Sequence, residues 1–114
     1  MLSYAVVIFA ITAVAGLMLA AKVVTGKLAS WPVSILHALL GATGLVILGV
    51  AVLQGTNSTQ ITAALGLLVV AAVGGFFLAS YHLRKKIAPK AVVIIHAAVA
   101  VVGFLTLVSA ALSI

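Results

Sequence analysis

Apolar residues fall into four blocks along the chain, and short polar stretches separate the blocks. Each block is about 20 residues long, which is the length that a helix needs to cross a bilayer core of about 30 Å. The pattern predicts four membrane-spanning helices over residues 4–24, 33–53, 61–83 and 91–112. Because the connecting stretches are short, we predict an all-α membrane protein, an up-down bundle that forms a single transmembrane domain over residues 1–114.

The composition narrows the chemistry that this chain can perform. Apolar residues make up 67% of the chain and charged residues only 5%, whereas a soluble domain carries roughly 25% charged residues. The absence of cysteine excludes disulfides and thiolate metal sites. The absence of aspartate and glutamate leaves no carboxylate for a hydrolytic base–nucleophile–carboxylate set. We expect membrane lipid as a partner and no nucleic acid.

All the basic residues lie on one side of the predicted membrane domain. They are in the loops over 25–32 and 84–90 or beside them: Lys22, Lys27, Arg84, Lys85, Lys86 and Lys90. Because positively charged loops remain in the cytoplasm, we predict that both loops are cytoplasmic and that both termini face outward from a cell (inner) membrane. The net charge of +6 also favours contact with an anionic ligand or with anionic lipid headgroups.

The connecting stretches contain signals for helix starts. Ser30 and Pro32 fit the cap and the first turn of the second helix, and Pro89 fits the start of the fourth. The stretch Asn57-Ser58-Thr59 matches a glycosylation acceptor. We interpret it instead as a tight turn followed by a helix cap.

The chain also contains an internal repeat. A shift of 59 residues pairs His37 with His96, Gly44 with Gly103, Gly16 with Gly75 and Lys27 with Lys86. We predict two helical hairpins, repeat one over 1–55 and repeat two over 60–114, related by a pseudo-twofold axis along the membrane normal. The second and fourth helices are then equivalent, and they lie diagonally across the bundle.

Two histidines occupy equivalent positions in the two repeats. His37 and His96 are each followed by a small residue at the fourth position, glycine at the seventh and leucine at the eleventh, all on one helix face. At about 1.5 Å per residue, both lie roughly 6–8 Å below the cytoplasmic membrane edge. Ionisable residues inside spans are rare and usually functional, so we predict a shared ligand. Tight helix packing with an incidental histidine is the alternative.

The predicted position of the pair favours haem over a bare metal ion. Imidazoles from diagonal helices can bind haem iron on both faces, and a metal-bound histidine usually donates its other ring N–H to an acceptor. With no carboxylate in the chain, we expect the carbonyls of Val33 and Val92, one turn earlier, or water to accept this hydrogen bond. The sequence predicts one haem b ligated by His37 and His96.

Glycines and basic residues near the histidines complete the predicted site. Gly16 and Gly75, together with Gly44 and Gly103, would leave space for the macrocycle. Close helix packing is the alternative role of these glycines, because small residues favour it in membranes. Arg84 and its neighbouring lysines are predicted partners of the haem propionates, since arginine pairs well with carboxylates.

At His37 and His96 the chain resembles the membrane b-type cytochromes whose core is a four-helix bundle. Members of that family ligate haem with histidines from helices two apart in sequence. Two-haem members carry a second histidine further along each ligand helix, where this chain has Ala51 and Ala110, fourteen residues on. The resemblance therefore implies a single haem. It also implies electron transfer near the cytoplasmic face, with quinone or a partner subunit of a larger redox complex.

The third histidine, His82, does not belong to the repeated pattern, because its counterpart is Val23. It follows Tyr81 at the end of the third helix, where an interfacial histidine is the simplest interpretation. The alternatives are a contact with a haem propionate, a hydrogen bond to a quinone, or a third ligand beside His37 and His96 in a zinc or copper site.

Other small four-helix membrane proteins fit the residues less well. Small multidrug transporters depend on a membrane-embedded glutamate, which is absent here, and the arginine-bearing first helix of small fluoride channels is missing. A haem-free accessory, structural or channel-like subunit remains an alternative, as does a subunit whose histidines hold chlorophyll. We expect a homo-oligomer or a complex with a partner subunit.

Overall fold

A computed structural model describes residues 1–56 and 58–113 as four α-helices. They are α1 (Leu2–Val24), α2 (Trp31–Leu53), α3 (Thr59–Leu83) and α4 (Lys90–Leu112). Each helix is long and apolar enough to cross a membrane. The predicted all-α, four-helix membrane fold is confirmed, and the chain is a multi-pass membrane protein.

The helix ends match the predicted ends, whereas every helix begins one or two residues earlier than predicted. The apolar blocks mark the bilayer core, and polar or interfacial residues such as Trp31 and Thr59 extend the helices beyond it. Ser58 caps α3, because its hydroxyl oxygen accepts a hydrogen bond of 3.1 Å from the backbone N–H of Ile61. Ser30 stands at the cap position of α2 without a side-chain cap hydrogen bond. Asn57, and with it the glycosylation motif, lies outside the described residues.

The four helices form a closed up-down arrangement. The hairpins α1–α2 and α3–α4 pack most extensively, α1 also packs against α4, and α2 packs most loosely against α3. Within the described part of the chain, the diagonal pairs α1–α3 and α2–α4 have no close backbone contacts. The two loops that carry basic residues therefore lie at one end of the bundle, called here the basic end.

An apolar core fills the half of the bundle away from the basic end. Its members are related by the same 59-residue shift that pairs the histidines: Leu2 with Ile61, Ala5 with Ala64, Phe9 with Leu68 and Leu48 with Leu107. Both Leu48 and Leu107 are fully buried. A second cluster of Val23, Ala88 and Val93 closes the interface between α1 and α4 at the basic end.

Two helices end in equivalent left-handed turns. Gly26 follows α1 with a φ of 83°, and Lys85, its counterpart at the 59-residue shift, follows α3 with a φ of 55°. In both turns a backbone N–H donates a hydrogen bond to a carbonyl in the last turn of the helix. The N–H of Lys27 donates to Lys22, and the N–H of Lys86 donates to Tyr81. The second repeat therefore keeps this turn without the glycine that such a conformation favours.

Candidate functional site

The imidazole rings of His37 and His96 meet inside the bundle. Their centroids are 6.3 Å apart and their planes are inclined by 80°. Each histidine is the sixth residue after the first residue of its helix, so the two rings lie at the same depth, about 9 Å along the helix axis. The diagonal helices α2 and α4 thus bring together the two residues that the sequence predicted as a pair.

The ring of His37 is held by α1 of the same hairpin. Nδ1 of His37 lies 2.8 Å from the backbone carbonyl oxygen of Thr12. Because a carbonyl only accepts, Nδ1–H is the donor and Nε2 keeps a free lone pair. The expectation that Val33 accepts this hydrogen bond is wrong, because the His37 ring is directed toward α1 and its Nδ1–H donates to Thr12. The acceptor instead comes from the neighbouring helix.

The ring of His96 has an equivalent but looser environment on α3. The carbonyl of Ala71, the counterpart of Thr12, interacts with this ring. It does not reach hydrogen-bonding geometry, so Nδ1 of His96 is buried without a partner among the described residues. This buried nitrogen is therefore under-satisfied in its hydrogen bonding. Val92 does not accept from it either.

Glycines on α1 and α3 make room for the two rings. A Cβ atom at residue 16 would lie 2.8 Å from Cε1 of His37, and one at residue 75 would lie 3.3 Å from Cε1 of His96. At Gly74 the corresponding distance to Nδ1 of His96 is 3.4 Å. Each ring therefore turns its Nδ1–Cε1 edge toward its own hairpin, which leaves Nε2 as the nitrogen available to a ligand.

Gly44 and Gly103 have a different environment, two helical turns deeper than the histidines. A Cβ atom at residue 44 would lie 2.8 Å from the ring of Phe9, and one at residue 103 would lie 3.1 Å from Leu67 and Leu68. Both glycines are buried. They admit an apolar side chain from the neighbouring helix, the packing role that was the alternative interpretation.

Arg84 lies at the exposed end of α3, away from the histidine pair. Its Nε donates to the carbonyl of Ser80 at 3.1 Å, and its guanidinium lies 4.8 Å from the ring centroid of Tyr81. The six basic residues share the basic end, which is the end nearer to the paired imidazoles. Arg84 is thus on the expected side of the site without contacting the histidines.

His82 forms a separate polar cluster between α2 and α3. The indole of Trp31 stacks on its ring at 3.8 Å with an interplanar angle of 14°, and the hydroxyl of Ser34 lies 3.2 Å from Nδ1. In the part of the chain that the structure describes, no three potential metal ligands come together. The alternative of a zinc or copper site with His82, His37 and His96 is therefore not assembled.

Sequence reasoning missed three residues that build these surroundings. The carbonyl of Thr12 could not be identified, because any residue supplies a carbonyl and only the helix packing selects one. Trp31 and Ser34 had no role in the predicted site. One signal was available for Ser34: it precedes His37 by three residues on the same helix face, and its counterpart, Val93, is apolar.

No protein family, curated protein or solved structure matches this chain.

Proposed function

We propose that this protein is a membrane b-type cytochrome in which His37 and His96 bind one haem b. The observation that carries the proposal is the pair of inward-facing imidazoles on diagonal helices, 6.3 Å apart between ring centroids. Ionisable side chains inside an apolar bundle cost free energy unless a partner or ligand satisfies them. A shared iron would satisfy both rings at once.

His37 and His96 are the residues that would hold the haem iron, because their rings meet between the diagonal helices. Nε2 of His37 is a suitable ligand atom, because Nδ1–H donates to the Thr12 carbonyl and Nε2 keeps its lone pair. The donor set of this chain therefore fits haem iron.

The chain favours electron transfer over the binding of a small molecule at iron. Haem b supplies a one-electron redox centre when it is bound. His37 and His96 would both hold that centre, and no third potential ligand joins them among the described residues. The apolar helices exclude water from the pair. Thr12 orients the His37 ring, and Gly16 and Gly75 let both rings approach their neighbouring helices.

The proposal includes an orientation and partners. The basic end is cytoplasmic in a cell (inner) membrane, where Arg84 and the neighbouring lysines attract anionic lipid headgroups or haem propionates. A homo-oligomer or a partner subunit receives or donates the electron. Quinone is the candidate small-molecule partner.

Purified protein tests the proposal through its reduced-minus-oxidised absorption spectrum. We expect a low-spin b-type band that is lost in His37→Ala and in His96→Ala. It should persist in His82→Ala, the matched control for a histidine outside the pair. A colourless protein with iron at background would exclude haem. Zinc or copper that is lost in the two ligand variants would indicate a metal site instead.

One observation favours a haem-free structural subunit as the second candidate. Aromatic rings attract each other edge to face at centroid distances of about 4.5–7 Å, and the histidine pair lies within that range and near perpendicular. In this case the two rings simply pack across the bundle. The predicted consequence is that His37→Ala and His96→Ala lower the thermal stability of a protein that contains no iron.

A further inference from the structure

The side chain of Arg84 turns back along the last turn of α3. Its Nε donates to the carbonyl of Ser80 at 3.1 Å, and its guanidinium lies 4.8 Å from the ring centroid of Tyr81. Basic side chains at the ends of spanning helices more often extend outward to water. Because Ser80 and Tyr81 precede Arg84 by about one helical turn, the charge lies roughly 5 Å nearer the membrane centre than the Arg84 backbone.

One edge of this guanidinium has no partner. Nε and Nη2 share the edge that faces Ser80, whose hydroxyl lies 3.5 Å from Nη2. The N–H groups of Nη1 make no hydrogen bond with any residue that the structure describes. The chain also contains no acidic side chain to pair with the charge. Because adjacent N–H groups of a guanidinium bind two oxygens of one phosphate, the free edge is suited to a phosphate group.

An exposed apolar strip leads from this guanidinium toward the middle of α3. Phe77 and Val73 precede Arg84 by seven and eleven residues, which places the three side chains on one helix face. Phe77 is 51% exposed and Val73 is 64% exposed. The Phe77 ring also packs edge to face on Tyr81, with 5.4 Å between the ring centroids. A positive charge above such a strip fits an amphiphile with an anionic head and apolar chains.

The first repeat lacks this arrangement. At the 59-residue shift, Arg84 corresponds to Thr25 and Lys85 corresponds to Gly26. Lys85 retains its charge at a position whose left-handed φ of 55° favours glycine. The turn after α3 therefore carries two positive charges that the equivalent turn after α1 does not, which makes the site single.

We infer that the end of α3 binds one anionic phospholipid, with the phosphate at the free edge of Arg84 and the acyl chains along Phe77 and Val73. Lys85 adds positive charge beside the headgroup. The inference rests on the proposed attraction of anionic lipid to the basic end, and gives that attraction a defined position. It assigns Arg84 to lipid instead of to a haem propionate, and it does not require haem to be bound.

Native mass spectrometry of purified, delipidated protein in detergent counts bound lipids directly. The protein is titrated with dioleoylphosphatidylglycerol and separately with dioleoylphosphatidylcholine, which has the same chains and no net charge. We expect the first phosphatidylglycerol to bind about tenfold more tightly. Arg84→Gln should raise its dissociation constant about tenfold, because hydrogen bonds to a charged group are lost. Arg84→Lys keeps the charge without the guanidinium fork, so its dissociation constant should lie between these two values.

Two controls make the result specific. Lys27→Gln removes one positive charge from the equivalent turn of the first repeat. Because only a more distant, screened charge is lost there, it should change the dissociation constant by about twofold or less. Inorganic phosphate, added at the same concentration as the lipid, should not displace phosphatidylglycerol, since it has no chains to contact Phe77 and Val73.

The outcomes separate this inference from the haem proposal. Equal loss of affinity in Arg84→Gln and Lys27→Gln would overturn the site, because general charge attraction would then explain the binding. Displacement by inorganic phosphate would overturn it in favour of a free anion. Haem loss in Arg84→Gln with unchanged lipid affinity would also overturn it, and would assign Arg84 to a propionate. Lipid binding that depends on Arg84 in a protein without haem supports the lipid site although the haem proposal fails.

Discussion

A Cβ atom on residue 16 would lie 2.8 Å from Cε1 of His37, so the His37 ring can occupy its observed position only beside glycine. The hydrogen bond of Nδ1 to the Thr12 carbonyl, 2.8 Å long, prevents the ring from simply swinging away. Gly16 and His37 thus act as one unit across α1 and α2, and the position of the imidazole depends on both helices.

We predict that Gly16→Ala weakens haem binding by about tenfold or more, since relief of an overlap of this kind costs about 1–3 kcal/mol. Gly75→Ala should have a smaller effect, because the corresponding distance to His96 is 3.3 Å. Haem content per protein, measured from the pyridine haemochrome spectrum, gives the readout. Gly49→Ala is the control, since no atom lies within 4 Å of its added Cβ. Equal haem content in Gly16→Ala and Gly49→Ala would contradict the prediction.

Gly44 and Phe9 form the second close pair between α1 and α2. An added Cβ at residue 44 would meet the Phe9 ring at 2.8 Å. We predict that Gly44→Ala destabilises the folded bundle by about 1–3 kcal/mol while haem content stays near the wild-type value. Phe9→Leu should rescue part of the loss, because Leu68 fills the equivalent place beside Gly103. Thermal unfolding of the single and double variants in detergent measures the coupling. Haem loss without destabilisation in Gly44→Ala would instead assign the residue to a cofactor site.

Lys85 occupies a left-handed backbone conformation that costs a non-glycine residue about 1–2 kcal/mol, with a φ of 55°. Lys85→Gly should therefore raise the unfolding temperature, and Gly26→Ala, at the equivalent turn with a φ of 83°, should lower it. Lys85→Ala removes the charge but keeps the unfavourable conformation, so it separates the two effects. If Lys85→Ala raises the unfolding temperature as much as Lys85→Gly does, the prediction is contradicted. Charge repulsion at Lys85, and not its backbone conformation, would then be what destabilises the wild-type turn.

The orientation of the bundle can be tested because the chain contains no cysteine. We predict that a membrane-impermeant maleimide labels Gln54→Cys, at the end opposite to the basic loops, in intact spheroplasts. Lys27→Cys should be labelled only after the membrane is permeabilised, because positively charged loops stay in the cytoplasm. The reverse labelling pattern would invert the proposed topology.

Much of the fold follows from local properties of the chain. Apolar blocks of bilayer length leave little alternative to helices, since the backbone must satisfy its own hydrogen bonds in lipid. The repeated His37 and His96 also predicted which residues would meet, because two hairpins related by a twofold axis place equivalent helices on a diagonal. Helix starts were less predictable, since Trp31 and Lys90 extend their helices beyond the apolar core.

The details of the site depend on distances between helices. Nothing in the sequence distinguishes Gly16, which contacts a histidine, from Gly44, which contacts Phe9. Nor does it select the Thr12 carbonyl as the acceptor for His37, because every residue carries the same backbone group. The hydropathy of a residue measures how favourably it transfers from water into lipid. The pattern of apolar residues along the chain therefore determines how many helices span the membrane and how long they are. The rotation and packing of one helix against another decide which side chains meet, and these arise only when all four helices pack together.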